Sequence, residues 1–586
     1  MSALIDAETL LAVDVGTVNT RASIFDVVDG RYRLVATAKA PSTAAAPLFD
    51  IGEGVRMALD RVQTITGRRL VDESDLLIMP VTPSGAGIDI FVATASAGPQ
   101  VRTVLVGLMP GVSVESAKHL AASTYIDVVG EIGLMDKRKD SEKIDLILSV
   151  NPDLILVTGG TDGGATESVL QLIDLVGVAA EQIPPLDRPR IVYAGNRSLS
   201  ASVVERFGDR FHVDLSPNVR PSLGIEDLSQ ARLHISDAIS EVRATRVSGF
   251  EELNRWSGGN LLLSADAFGR VIKYLSRIYE PEKGVLGVDV GANQTTIAAA
   301  FEGDLRLTVN TDLGLGAPLP ALLEGGGLSR ILRWLPTEIS PTKVQDYIFN
   351  KSLNPSVIPA EIEDLHIEFA LTRELIRTAL QRARTGWPRG KNIKSTWLLP
   401  AIEPIIISGA VLARAPRPGY AALALLDALE PTGISTLVLD PHSLTPALGA
   451  TAGPLPMVTV HLLESGSFVS LGTIVSPVGR ARAGRKILRV QLERDQVGED
   501  IVGDIRMGQL VTLPLKQGEN ARLTLRPERG IDVGFGGPGK AGALRVAGGA
   551  LGLIIDARGR PLNLPKEPDR RRELNEKWLW DIGALV

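Results

Sequence analysis

Residues 10–37 read LLAVDVGTVNTRASIFDVVDGRYRLVAT. An apolar run from Leu10 to Val13 ends on an acid, Asp14. A Gly-Thr turn follows at Gly16 and Thr17, and a second extended segment starts near Thr20. Asp29-Gly30 then leads into Tyr32, Leu34 and Ala36, which alternate with other residues. The pattern predicts strand, phosphate-sized turn, strand, hairpin turn, strand. It returns at residues 285–310, VLGVDVGANQTTIAAAFEGDLRLTVN, with Asp289 and Gly291 in the places of Asp14 and Gly16. Thr295 and Thr296 follow, Gly303 sits in the next turn, and Leu305, Leu307 and Val309 alternate. The offset of 275 residues is too long for a solenoid repeat and fits two related lobes.

A strand that ends in Asp-x-Gly and folds back presents backbone N–H groups at its tip, and glycine lets a ligand approach closely. Such a nest suits phosphate oxygens, and a nearby carboxylate suits a hydrated magnesium ion. Acids also cap strand-end turns through Asx-type hydrogen bonds, and one such turn is an ordinary hairpin. Two copies in matching strands point to a nucleotide gripped across a cleft, with Asp14 and Asp289 holding magnesium through water. Thr17, Asn19, Thr20, Asn293, Thr295 and Thr296 carry donors suited to phosphates. Arg21 has a planar fork that could grip a phosphate or point away along its strand.

These motifs resemble those of the actin, sugar-kinase and DnaK-type chaperone superfamily. DVGTVNT is similar to its first phosphate motif and DVGANQTT to its second. Residues 405–410, IIISGA, resemble the adenosine motif, with Ser408, Gly409 and Ala410 where that motif has Ser-Gly-Gly; Ala410 slightly crowds the nucleotide. Leu448–Ala452 and Leu261–Tyr279 resemble the two connecting helices. A closer resemblance lies in NPDLILVTGGTDGG (Asn151–Gly164), IVYAGN (Ile191–Asn196) and GGALGLIIDARGRPL (Gly548–Leu562). These are similar to the glutamate mutase accessory family, called MutL or GlmL and unrelated to the mismatch-repair protein. That resemblance runs over nearly the whole chain. It implies ATP or ADP with magnesium as cofactor, no cobalamin bound by this chain itself, and an adenosylcobalamin-dependent mutase as partner.

The 586 residues suffice for three or four domains at about 150 each. Hydrophobic residues at 44% and charged ones at 22% are ordinary for a globular protein. Aromatics are only 4%, so aliphatic residues must fill the core. A net charge of −6 gives no basic footprint for nucleic acid or anionic membrane. Cysteine is absent, which excludes disulfides, thiolate metal sites and cysteine nucleophiles. No apolar run approaches the roughly 18 residues of a membrane span. The N-terminal residues lack the pattern of a signal peptide, so a cytoplasmic protein is expected.

The organisation expected is a first actin-like lobe over residues 1–245, with an insertion carrying GGTDGG. A connecting helical segment over 246–283, a second lobe over 284–454 and a β-rich domain with a tail over 455–586 complete it. Within the first lobe, Ile51–Ile65 has helical spacing, Leu76–Met79, Ile88–Ala93 and Val101–Leu108 read as strands, and Val114–Val129 reads as a helix capped by Ser113. Gly159, Gly160, Thr161, Asp162, Gly163 and Gly164 follow an apolar strand and precede a helix. The turn is either an anion site or a tight connection that needs small residues. Asp162 and Asn196 are candidate polar contacts at that sheet edge. In the second lobe, Glu361–Arg384 is helical, and Pro and Gly around Gly386–Gly390 end it. Beyond Pro456, the runs Met457–Leu462, Lys486–Leu492, Leu510–Leu515 and Ala521–Leu525 read as strands. The tail Lys566–Trp580 is a capping helix or a docking segment.

None of the six histidines sits at metal-ligand spacing. The run DPHSLT, Asp440–Thr445, has a superficial likeness to a cobalt-coordinating Asp-x-His-x-x-Gly, but the glycine is missing. Neither a GxSxG elbow nor a Walker-type loop is present. In related sequences an acid often follows the paired threonines of the second hairpin; Ile297 stands there, which predicts slow or absent hydrolysis. The expected function is an accessory factor that reactivates a cobalamin mutase in an ATP/ADP cycle. The alternatives are a small-molecule kinase of the same fold, for which no carboxylate base is identified, and a scaffold with a degenerate cleft.

Overall fold

The hairpin reading holds strand for strand. In the computed structural model, which describes residues 8–385, 387, 398–495 and 500–585, the chain opens with β1 (Thr9–Val15), β2 (Asn19–Val28) and β3 (Arg31–Pro41), followed by β4 (Ile90–Ala95). An insertion then supplies β5 (Val101–Gly107), β6 (Ile126–Gly133), β7 (Leu154–Val157), β8 (Arg190–Tyr193) and β9 (Val213–Leu215) before β10 (Leu261–Leu263). The first sheet has the order β3-β2-β1-β4-β10, with β4 parallel to β1 and β10 parallel to β4. The second copy builds β11 (Gly284–Val290), β12 (Thr295–Phe301), β13 (Asp304–Asn310), β14 (Ile402–Ser408) and β15 (Gly433–Leu439). Its order is β13-β12-β11-β14-β15, antiparallel through the hairpins and parallel beyond them. Both lobes therefore carry the same five-strand arrangement, the ribonuclease H-like sheet of actin-like proteins. Their central strands are near-continuous apolar runs because both faces of each sheet are covered.

By compactness the described chain divides into residues 10–23 with 38–265, and the remainder. In the first unit the insertion is a sheet of its own, β6-β5-β7-β8-β9, parallel throughout. This is a doubly wound order, with its reversal point between β5 and β7. The expected helix Val114–Val129 is shorter. It spans Glu115–Ala121, a turn follows over residues 122–125, and the remainder opens β6, where Ile126, Val128 and Val129 favour an extended backbone. Ser113 does not cap that helix; it lies in the preceding turn, and its hydroxyl accepts from Met109 N at 2.9 Å. Leu76–Met79 is not a strand either, and only Leu77 bridges, to Val71.

In the second unit the β-rich C-terminal region is present and continuous with the lobe. β16 (Val469–Ser476) pairs β15, and β22 (Leu553–Asp556) and β19 (Leu510–Leu513) extend the same sheet to eight strands. A further sheet joins β18 (Ile501–Arg506), β17 (Lys486–Arg494), β20 (Asn520–Pro527) and β21 (Gly542–Ala547). Met457–Leu462 is helical, not extended, within Pro456–Glu464. Proline suits the first helical turn, and Val458 and Leu462, four apart, are both buried, so packing overrides the strand propensity of Val-Thr-Val. The helix Ile362–Ala383 matches expectation; of its expected stop at Gly386–Gly390, only Trp387 lies within the described residues. The tail forms the helix Pro568–Asp581, which buries Trp578 and Leu579 in the second-lobe core and leaves Trp580 half exposed.

The run Asp556-Ala557-Arg558-Gly559-Arg560 acts in the core. Asp556 accepts from Arg558 at 2.8 Å and from Arg560 at 2.7 Å, and Arg558 reaches Asp427 at 2.7 Å. Arg373 holds the other oxygen of Asp427 at 2.7 Å. Burial alone would raise the Asp556 carboxyl, but the two guanidinium charges hold it far below the usual carboxylate range.

Candidate functional site

In each lobe the first hairpin closes through one backbone bond. Gly16 N donates to Asn19 O at 3.0 Å, and Gly291 N donates to Gln294 O at 2.9 Å. A Cβ on Gly16 would meet Asn19 O at 2.8 Å, and one on Gly291 would meet Gln294 O at 3.1 Å. Close approach, rather than a left-handed backbone, explains both glycines. Thr17, Asn19 and Asn293 are half-buried at the turn tips, as are Gly16 and Gly291.

The two aspartates occupy the same place in their sheets and differ in their surroundings. Asp14 pairs in register with Thr94, and Asp289 with Ser408, so a hydroxyl residue stands opposite each carboxylate. In the first lobe Thr94 donates to Asp14 at 2.7 Å, Ser264 donates to the same oxygen at 2.9 Å, and Arg21 lies 3.7 Å from the other. Arg21 therefore turns back to the carboxylate of its own hairpin. In the second lobe the Ser408 hydroxyl is buried without a hydrogen-bond partner, an arrangement that costs stability unless a ligand completes it. Thr94 and Ser264 carried no sequence signal, because each is an isolated hydroxyl residue far along the chain from Asp14.

The other expected donors differ in their surroundings. Thr295 spends its hydroxyl on Leu313 O at 2.9 Å. Thr20 and Thr296 are fully buried; the Thr20 hydroxyl has no hydrogen-bond partner and lies beneath the first turn of the helix Ile51–Thr66, 3.1 Å from where a Cβ on Gly54 would stand. Gly409 has φ +109°, and an added Cβ would lie 2.3 Å from Val290 O. Ala410 opens the short helix Ala410–Ala413 and is exposed, so its methyl meets no obstacle from the chain. The expected connecting helices are Ser264–Ile278 and Thr445–Thr451. They cross at Gly449, where a Cβ would fall 1.8 Å from Ala267 O. Asp440 accepts from Leu444 N and Thr445 N, both at 2.8 Å, and so caps the second of them. Among the described residues no group of three His, Asp or Glu side chains is placed to hold a metal ion.

The GGTDGG turn lies at the carboxyl end of β7, with Asn196 at that of β8. Gly159, Gly160 and Gly163 have φ of +135°, +71° and +73°. A Cβ on Gly160 would lie 2.9 Å from Ala165 O, and one on Gly164 only 2.5 Å from the Thr161 hydroxyl. Asp162 accepts from Arg197 N at 3.0 Å and from Asn218 at 2.9 Å, and Asn196 accepts from Gly163 N at 3.0 Å. The polar groups of the turn thus knit the sheet edge together. Beside them Glu226 accepts from Ser116 at 2.7 Å, from Arg220 at 3.1 Å and from His119 at 3.2 Å. Burial alone would raise Glu226, but its hydrogen bonds from His119 and Ser116 hold it down to about 2. The Glu226 hydrogen bond raises His119 in turn.

Two ribonuclease H-like sheets, each with an Asp-x-Gly turn at the same strand end, define an actin-like α/β protein. Within that class the chain belongs to the MutL protein family, whose model matches residues 10–466. Protein MutL of Clostridium tetanomorphum is 22% identical over 310 residues, covering 50% of this chain and 64% of that protein. The match therefore spans less than two thirds of that relative's length. Among solved structures, nucleotide-free acetone carboxylase is similar at 11% identity and TM-score 0.35, over 85% of this chain and 81% of that one. A diol dehydratase-reactivating factor in nucleotide-free form gives 11% and 0.29, over 78% and 100%. Glycerol dehydratase reactivase gives 10% and 0.27, over 71% and 94%. No helix among the described residues is long and apolar enough to cross a membrane.

Proposed function

We propose that this chain is an accessory factor that reactivates an adenosylcobalamin-dependent mutase of the glutamate mutase type, switched by ATP and ADP. The observation that carries the reading is the duplicated phosphate turn in a chain of the MutL family. The residues present suit a magnesium nucleotide: Asp289 stands in register with the unpartnered Ser408 hydroxyl, and Gly291 and Asn293 are half-buried at the turn tip. Asp289, Asn293, Ser408, Gly409 and Ala410 would hold the nucleotide in the second lobe. Asp14, Gly16, Thr17, Asn19 and Arg21 would do so in the first, with magnesium held through water by the two aspartates. Bound nucleotide supplies the free energy difference between two states of the protein. Those states act on a client only if it binds them unequally.

A second reading, a scaffold without turnover, rests on Asp14, whose carboxylate is already engaged by Thr94, Ser264 and Arg21. The two readings part in one experiment. A purified mutase inactivated by damaged cobalamin is mixed with this protein, intact cofactor and magnesium ATP. Recovery that requires both this protein and ATP is the expected result. Recovery without nucleotide selects the scaffold, and absence of any recovery removes the reactivation role.

A further inference from the structure

Among the described residues of the second unit, the densest run of exposed apolar side chains is Phe349, Leu353, Val357, Ile358 and Ile362, all at least half exposed, with Leu353 at 78%. Phe349 and Leu353 lie near the end of the helix Pro341–Leu353, Val357 and Ile358 on the connection that follows, and Ile362 opens the helix Ile362–Ala383. This connection is held firmly. Lys351 is buried, donates to Val357 O at 2.5 Å and pairs with Glu368 at 3.1 Å, and Tyr347 donates to the same Glu368 carboxylate. Apolar side chains displayed on a fixed backbone lose little entropy when covered, and clusters of them mark interaction surfaces. Asp346, Glu361, Glu363 and Asp364 flank the run. Lys343, a half-buried cation beside them, is shared by Glu361 at 3.1 Å and Glu363 at 2.5 Å.

The same connection rests on the second phosphate turn. Leu315 N donates to Gly291 O at 3.0 Å. A Cβ on Gly314 would lie 2.3 Å from Ala292 O, and one on Gly316 would lie 2.9 Å from that oxygen and 3.0 Å from the Pro355 ring. Residues 314–316 are thus wedged between the turn and Pro355 with no space to absorb a shift. Packed contacts without slack transmit displacement.

We propose that Phe349–Ile362 docks the partner protein through an apolar segment flanked by basic residues, and that the nucleotide turn sets its position through Gly314–Gly316. Charge complementarity with the acidic rim selects this occupant over a second copy of this acidic chain. The inference rests on the reactivation reading and names the contact by which it works. The test titrates a purified adenosylcobalamin-dependent mutase onto the full chain and onto Leu353→Asp/Ile358→Asp, with calorimetric nucleotide binding as the control for an intact fold. The double variant is expected to bind nucleotide as the wild type does and the mutase at least tenfold more weakly. The wild-type affinity should fall as salt rises and differ between ATP and ADP. Gly316→Ala and Pro355→Gly should each erase that difference. Equal mutase affinity in the double variant overturns the docking surface and leaves the reactivation reading standing. A wild type that binds nucleotide and no mutase overturns both. Self-association of the wild type that the double variant abolishes assigns the face to a second copy and overturns the partner. A nucleotide difference that survives in both wedge variants overturns the coupling.

Discussion

Ending the chain at Pro454 yields no folded second lobe. Three of the eight strands in that lobe's sheet, β16, β22 and β19, come from beyond that point, and β16 pairs with β15 along its length. The cut also removes Arg558 and so leaves Asp427 with Arg373 alone in a buried site, where loss of one ionic partner costs about 3–5 kcal/mol. Trp578 and Leu579 leave the core, and Gly419 loses the backbone it was shaped to meet, 2.7 Å from its Cβ position to Ala584 N. The ionic loss by itself is already comparable with the lower end of an ordinary domain's stability, about 5–15 kcal/mol, before the missing strands and core side chains are added. The truncated chain should be insoluble or should lack a cooperative thermal transition for the lobe, and limited proteolysis should digest residues 284–454. A truncated protein that melts cooperatively near the wild-type temperature would show the C-terminal region to be an independent domain.

Ile297→Asp should destabilise the protein by about 4 kcal/mol or more, because it buries a carboxylate without a partner. Ile297 is fully buried on β12 and packs with Val288, Val290 and Ala299 in the second-lobe core. From sequence alone this substitution looks like the restoration of a catalytic acid. The structure turns that side chain inward, so the substitution tests the core and not hydrolysis. Ile297→Val, which keeps the shape and removes one methyl group, should cost only about 1 kcal/mol. Chemical denaturation of the two variants checks the ordering. An Ile297→Asp protein as stable as the wild type, with faster ATP hydrolysis, would contradict the placement of this residue.

What the sequence made legible follows from the range of its signals. The hairpins were readable because Asp14-Val15-Gly16 and Asp289-Val290-Gly291 end strands of period two, and the whole unit lies within thirty or so residues. Gly409, Gly449 and the glycines of GGTDGG were visible as residue types. Their reasons, contacts with Val290, Ala267 and Ala165, are set by packing between distant segments. The helix around Met457 and the short helix before β6 were misread because local propensity there competes with burial. The sharing of one sheet between the second lobe and the C-terminal region depends on strand register that no local pattern encodes. His119, Glu226 and Ser116 meet across more than a hundred residues, and no spacing rule reaches that far. The task of Thr295 depends on which way its side chain turns, and strand alternation alone does not settle that at a turn.

The central claim is that the paired turns bind a magnesium nucleotide, and isothermal calorimetry of the full chain with ATP and ADP tests it most directly. The account predicts saturable binding that weakens at least tenfold when magnesium is chelated, and a similar loss in Asp289→Ala at native stability. Absence of binding by well-folded wild type, or binding indifferent to both magnesium and Asp289, would contradict it.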